Sequence, residues 1–265
     1  MNSARRKLLK AAITGGVTTA AAIALQQLVP VTLTDIKAMP TASQQQARSW
    51  VMVIDLARCN GCKACTEGCV NEHFVPPAWG EPNYKGHQEW IRVYEMESPG
   101  GGKYFFPRPC MQCDNAPCVK VCPVGASYKR DDGLVLINQD RCIGCRFCIA
   151  ACPYEARYFN WYDPPVSPEE KFVKYSDEYP VPHRRGVAEK CVFCAHRTEM
   201  GRLPACVESC HNAGMNALYF GDVKEDAVSN GAEVVRLSEL LSKNNAYRFK
   251  EELGTQPRVY YLAPR

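Results

Sequence analysis

Sixteen of the 265 residues are cysteines, and they fall into four groups of four. The first is Cys59, Cys62, Cys65 and Cys69, and the second is Cys110, Cys113, Cys118 and Cys122. The third is Cys142, Cys145, Cys148 and Cys152, and the fourth is Cys191, Cys194, Cys206 and Cys210. Every group opens with C-x2-C and closes with C-x3-C, and only the middle gap varies, at two, four, two and eleven residues. A chain marked this regularly has to fold around whatever its thiols hold.

The first and third groups read C-x2-C-x2-C-x3-C, and Pro153 completes the run that binds [4Fe–4S] clusters in bacterial ferredoxins. Three thiolates within seven residues let one loop wrap a cubane, while the fourth points away and can serve another. Zinc sites usually pair two C-x2-4-C knuckles across a longer gap, a pattern that only the fourth group resembles. Disulfides suit an oxidising compartment, but C-x2-C-x2-C packs thiols too densely to pair without strain. Redox C-x-x-C chemistry needs one motif, not one in every group. Iron–sulfur clusters accommodate all sixteen cysteines; a zinc or disulfide module is the competing reading.

Composition supports a folded body, with 46% hydrophobic and 23% charged residues. The net charge of +4 belongs to residues 1–42, where Arg5, Arg6, Lys7, Lys10 and Lys37 face only Asp35. The remaining 223 residues carry 27 basic and 27 acidic side chains. A nucleic-acid-binding body should carry a basic face, so no nucleic-acid partner is expected. Arg5-Arg6 followed by Leu8-Leu9, then an uncharged stretch from Ala11 to Thr34, resembles a twin-arginine export signal. An N-terminal membrane anchor is the alternative. That route exports folded proteins, which suits clusters inserted before translocation. The expected location is the periplasmic side of the cytoplasmic membrane, peripheral or N-terminally anchored.

The chain repeats itself. Trp50-Val51-Met52-Val53-Ile54-Asp55 leads into Arg58-Cys59-Asn60-Gly61-Cys62, and Leu134-Val135-Leu136-Ile137-Asn138 leads into Arg141-Cys142-Ile143-Gly144-Cys145. Each is a short strand followed by a cluster loop. Gly61 and Gly144 fit places where backbone passes close to a cluster. Residues 70–109 and 154–190 are insertions that read as too polar and broken for core elements. Tyr154, Tyr158, Phe159, Trp161 and Tyr162 form either a docking surface or an apolar lid over the third group. Ala217 to Phe220 reads as a strand, and Val234, Val235, Leu237, Leu240 and Leu241 fit one helix face. Residues 258–262 are expected to be extended, in a tail that embraces the core or a partner.

The four groups in this order resemble the four-cluster ferredoxin-type electron-transfer subunit of complex iron–sulfur molybdoenzymes. Dimethyl sulfoxide, polysulfide, tetrathionate and nitrate reductases and related membrane redox complexes carry such subunits. The segments Arg141 to Tyr154 and Leu203 to Cys210 match most closely. The resemblance covers about residues 48–262. It implies an α+β fold of two intertwined bacterial-ferredoxin-like units with long loop insertions and a C-terminal tail. Residues 43–109 with 187–230 would hold the clusters of the first and fourth groups, and 110–160 those of the second and third. Residues 161–186 would be a Pro-rich insertion and 231–265 the tail.

The resemblance also implies a pairing of groups around four [4Fe–4S] clusters. One would be held by Cys59, Cys62, Cys65 and Cys210, and another by Cys191, Cys194, Cys206 and Cys69. A third would take Cys110, Cys113, Cys118 and Cys152, and the last Cys142, Cys145, Cys148 and Cys122. No catalytic residue is expected. The implied partners are a catalytic subunit of molybdopterin type and an integral membrane subunit exchanging electrons with quinone, or cytochrome c. A relay in a quinone-to-cytochrome complex and a free-standing multi-cluster ferredoxin are the alternatives. His211 follows Cys210 where relatives often have proline; it either tunes a nearby cluster or is a partly exposed loop residue.

Overall fold

The run Trp50-Val51-Met52-Val53-Ile54-Asp55 has almost no polar residue to turn outward, and it becomes the central strand of the main sheet. The computed structural model describes residues 48–75, 88–98 and 101–264. Strand β1 (Trp50–Asp55) is flanked by β8 (Leu218–Asp222), antiparallel, and by β12 (Val259–Leu262), parallel. Beyond β8 lie β9 (Ala227–Ser229) and β10 (Val234–Arg236), and beyond β12 lies β11 (Tyr247–Arg248). A strand covered on both faces reads as a near-continuous hydrophobic run.

The two faces of β1 serve two cores. Met52 and Ile54 join a large core that includes eight of the buried cysteines. Val51 and Val53 face a smaller core with Tyr219, Val228, Leu237 and Leu262. That second core is closed by helix α6 (Leu237–Lys243) through Leu237, Leu240 and Leu241. The apolar run expected as one helix face is therefore split. Val234 and Val235 belong to β10, and the helix begins only at Leu237. β-branched side chains favour the strand, and Asn230-Gly231 supplies the turn that pairs β10 with β9.

The first insertion also departs from expectation. It forms a hairpin of β2 (Arg92–Glu97) and β3 (Lys103–Arg108), and it buries Val75, Trp90, Ile91 and Phe106. Phe106 stacks on Tyr261 of β12 with ring centroids 4.3 Å apart. The second insertion carries β6 (Tyr158–Phe159) and β7 (Ala188–Glu189), which pair, and a 3-10 turn at Glu169–Phe172. Strands β4 (Ser127–Lys129) and β5 (Val135–Ile137) form a further small hairpin. The C-terminal segment joins the core through β11 and β12. Arg258 fixes it there, reaching Asp114 at 2.7 Å, Ser49 Oγ at 2.9 Å and the Trp50 carbonyl at 3.1 Å. The leader and residues 76–87 lie outside the described residues. Among the described residues no helix is long and apolar enough to cross a membrane.

Two helices set the distance between cysteine groups. Helix α1 (Ala64–His73) packs on α5 (Ala205–Asn212). At Gly68 the two nearly touch: a Cβ there would lie 2.0 Å from Ser209 Oγ and 2.7 Å from Ser209 Cβ. In an open helix Gly→Ala gains about 0.5–1 kcal/mol. Overpacking costs about 1–3 kcal/mol and wins here. Gly68→Ala is therefore expected to lower the thermal midpoint of the metal-loaded protein, and Ser209→Ala in the same chain to recover part of the loss.

Candidate metal centres

Each group is built the same way: a loop supplies the first thiols, and a short helix presents the later ones. Cys59 and Cys62 sit in the loop after β1, and α1 carries Cys65 and Cys69 one turn apart. Cys110 and Cys113 follow β3, and α2 (Pro117–Lys120) carries Cys118, with Cys122 just beyond. Cys142 and Cys145 precede α3 (Phe147–Ala150), which carries Cys148, with Cys152 beyond. Cys191 leads to Cys194, which caps α4 (Ala195–Thr198), and Cys206 and Cys210 lie on α5. The loops turn through left-handed residues. Gly61 has φ +79° and Gly144 φ +70°. A Cβ on Gly61 would meet the Phe105 ring at 2.4 Å, and one on Gly144 the Gly186 carbonyl at 2.4 Å.

The fold gathers thiols across groups rather than within them. Cys59, Cys62 and Cys65 share an electrostatic neighbourhood with Cys210. Cys69, the last of its own group, faces Cys191, Cys194 and Cys206 instead. Cys110, Cys113 and Cys118 gather with Cys152. Cys142, Cys145 and Cys148 line one cavity with Cys122, holding about 330 Å³ of space free of atoms, part of it continuous with solvent. The four sets also adjoin in a row. Cys206 neighbours Cys65, Cys191 neighbours Cys110, and Cys148 neighbours Cys118.

All sixteen are free thiols. Burial pushes Cys65 and Cys113 up to about 12 and Cys191 to about 11, and Cys69 and Cys206 rise still further. Neutral at ordinary pH, they become thiolates once a cation shares their charge. Cys122 is the exception. Burial raises it, but the backbone N–H groups of Ser127, Val124, Ala126 and Gly125 together outweigh burial and lower it. Other donors are aimed at sulfur: Ser127 N–H at Cys122 (3.4 Å), Ala217 N–H at Cys210 (3.3 Å) and Phe193 N–H at Cys191 (3.4 Å). Among the described residues no three His, Cys, Asp or Glu side chains are grouped to share one metal ion. Thiols gathered in fours, one set lining a cavity of this size, with N–H donors aimed at sulfurs, fit a cubane better than a single zinc.

Two donors escaped sequence reasoning. His73 Nε2 lies 3.1 Å from Cys194 Sγ. Burial, the largest cause, pulls that ring down to about 3, so it is neutral, and its Nε2–H tautomer can donate to the sulfur once Cys194 is a thiolate. The signal was present, since His73 follows Cys69 by four residues and so shares its helix face. Arg157, the other, donates from Nη2 to Cys118 Sγ at 2.9 Å. His211 lies in α5 rather than in a loop, and its Nδ1 meets Asn216 Oδ1 at 2.8 Å, not a thiol. The aromatic run divides. Tyr154 is buried, Phe159 packs over the Gly144 loop, and Trp161 and Tyr162 are exposed.

His183 holds α1 in place behind His73. Its Nε2 lies 2.8 Å from the His73 carbonyl, and its Nδ1 2.8 Å from Glu189 Oε2. Burial, the largest single cause, would lower this histidine, but the Glu189 carboxylate, together with the His73 carbonyl and Glu170, raises it overall. A raised histidine contributes stability that is fully present below the unfolded value of about 6.5 and lost as pH rises through the folded value. The thermal midpoint is expected to fall as pH rises through that window, and Glu189→Gln to flatten the dependence at a cost of about 3 kcal/mol at pH 6.

The loop-and-helix thiol sets define an iron–sulfur protein of dicluster type. Residues 102–167 and 177–223 match a family model described as a 4Fe-4S dicluster domain, and residues 43–126 match another of that description. A selenate reductase subunit of Mesobacillus selenatarsenatis is 45% identical over 226 residues, covering 80% of this chain and 71% of the relative. The menaquinone reductase iron-sulfur cluster-binding subunit of Nitratidesulfovibrio vulgaris is 40% identical over 239 residues, covering 82% and 89%. A tetrathionate reductase subunit of Salmonella typhimurium is 34% identical over 268 residues, covering 99% and 89%. The chain belongs to the family of four-cluster iron–sulfur electron-transfer subunits of complex iron–sulfur molybdoenzymes, and its cofactors are four [4Fe–4S] clusters.

Proposed function

We propose that this chain relays single electrons between a catalytic subunit of molybdopterin type and a quinone-linked membrane subunit of an exported reductase. The observation that carries the reading is the row of four adjoining thiol sets with its ends near the surface. Cys62 is exposed at one end, and at the other the Cys122–Cys142–Cys145–Cys148 cavity opens beside the exposed Ile143 and Phe147. The sets between are more deeply buried, with Cys69, Cys194, Cys206, Cys110 and Cys113 all inside. Each bound cluster supplies one-electron chemistry at a potential set by burial, charge and hydrogen bonds to sulfur. The protein contributes those three things, and no acid, base or nucleophile is required.

The ligand assignment we propose follows the thiol sets. Cys59, Cys62, Cys65 and Cys210 hold one cluster, and Cys191, Cys194, Cys206 and Cys69 the next. Cys110, Cys113, Cys118 and Cys152 hold a third, and Cys142, Cys145, Cys148 and Cys122 the fourth. On this assignment two ferredoxin-like units interlock, because Cys69 and Cys210 exchange partners in one and Cys122 and Cys152 in the other. The twin-arginine pattern of the leader supports a periplasmic location. A relay in a quinone-linked complex without molybdenum is the second reading, favoured by the 40% identity to a menaquinone reductase subunit.

Cys148→Ser is expected to remove or convert one of four spectroscopic signatures and leave three. Four unchanged signatures would refute the assignment. Metal analysis of the native complex separates the two functional readings. Molybdenum or tungsten with a large co-purifying chain supports the first, and iron with haem but neither metal supports the second.

A further inference from the structure

Arg157 follows Cys152 by five residues, just before β6, and its side chain turns inward until only 4% remains exposed. Nη2 donates to Cys118 Sγ at 2.9 Å, and Nη1 to Ser127 Oγ at 2.8 Å. The Ser127 N–H in turn points at Cys122 Sγ, 3.4 Å away. The Arg157 side chain also lies within hydrogen-bonding reach of the Cys148 sulfur. Arg157 thus contacts a thiol of the third proposed cluster and one of the fourth, and it holds Ser127, whose N–H faces a second thiol of the fourth.

Its surroundings are unusual for a guanidinium. Among the described residues no carboxylate forms an ion pair with it. A buried, uncompensated charge is severely unfavourable. The groups that face Arg157 instead are the sulfurs of Cys118, Cys148 and Cys110. The compensating negative charge therefore resides on cysteine sulfur and what it binds. Among the described residues, its buried Nε has no hydrogen-bond partner. An orphaned charged donor costs more than an ordinary lost hydrogen bond, which argues for an acceptor that the polypeptide does not supply.

We infer that Arg157 is a fixed cationic bridge between the cluster held through Cys118 and the cluster held through Cys148, and that its charge makes both easier to reduce. The inference rests on the ligand assignment proposed above. An electron passing between them oxidises one cluster and reduces the other. Arginine stays protonated throughout, so no proton accompanies the step. A shared cation favours the electron on either side, so it raises both potentials together.

The test is an anaerobic redox titration of the purified complex followed by paramagnetic resonance, with Cys118→Ser and Cys148→Ser identifying the two signals. Arg157→Gln is expected to make both about tenfold harder to reduce, which is about 59 mV for one electron. The other two signals should keep their potentials. Arg157→Lys, which retains the charge, should recover at least half of the shift. In the unaltered complex both potentials should be flat between about pH 6 and 9, as an always-charged group requires. This arm holds even if Arg157→Gln fails to assemble. A shift in only one signal, a lysine variant no better than glutamine, or potentials that slope with pH would each overturn the bridge. If Cys118→Ser and Cys148→Ser alter the same signal, the ligand assignment itself fails and the bridge with it.

Discussion

The close approach of α1 to α5 at Gly68 is the contact on which the arrangement of thiols depends. Four cysteines in one short segment cannot all face one point, because the last lies a turn beyond the loop and is carried away by the helix. It needs a partner loop, and only a helix packed almost backbone to backbone brings one near enough. Gly68 lies between Cys65 and Cys69, so the contact that removes its Cβ also sets Cys69 toward Cys206 and Cys65 toward Cys210. Helices α2 and α3 repeat the solution for the second and third groups. On the ligand assignment proposed above every group depends on another, which makes cluster binding and tertiary structure a single event rather than two.

The remaining architecture holds these helix pairs in register. The six-stranded sheet is not decoration around the clusters. Its inner face, through Met52, Ile54 and Phe220, packs against the same core that contains the thiols. The C-terminal strand crosses back to lie beside the first, and Arg258 ties that junction to Asp114 in the loop of the second group. Asn115 in the same loop bonds to Thr255 and Gly254 of the C-terminal segment. The last residues to be synthesised therefore brace a cluster loop from the middle of the chain.

Much of the site was legible because ligation chemistry is strict about spacing. C-x2-C-x2-C-x3-C leaves little freedom in how a loop and helix present sulfur, so the residues declare themselves. Strands at 50–55 and 135–137 were equally plain, being apolar runs just ahead of each R-C-x-G-C. What escaped depended on contacts across the fold. The hairpin at 92–108 has exposed polar residues on one face and a proline in one strand, so its buried Phe106 and neighbouring Trp90 gave no local period. Val234 and Val235 fit a helical stripe as well as a strand, and Asn230-Gly231 was the clue that decided between them. Arg157 stands in a segment that looks like an ordinary connection, and nothing near it in sequence shows that Cys118 will be its partner.

The thiol sets differ in what opposes and what favours added negative charge, and this is where the protein can differentiate four chemically identical clusters. Burial disfavours charge, and it is most complete around Cys69, Cys194 and Cys206. Neutral donors offset it partially: His73 at Cys194, and amide N–H groups at Cys191 and Cys210. A full cation bonds directly to sulfur at Arg157, between the second and third groups. Near the solvent-facing end, four amides around Cys122 are enough to outweigh burial. The donors differ from set to set along the row, and they are residues that the cysteine spacing does not specify. Relatives can therefore share all sixteen thiols yet assign different potentials to them, because the ligands fix where electrons can rest and the second layer of donors fixes how readily they do so.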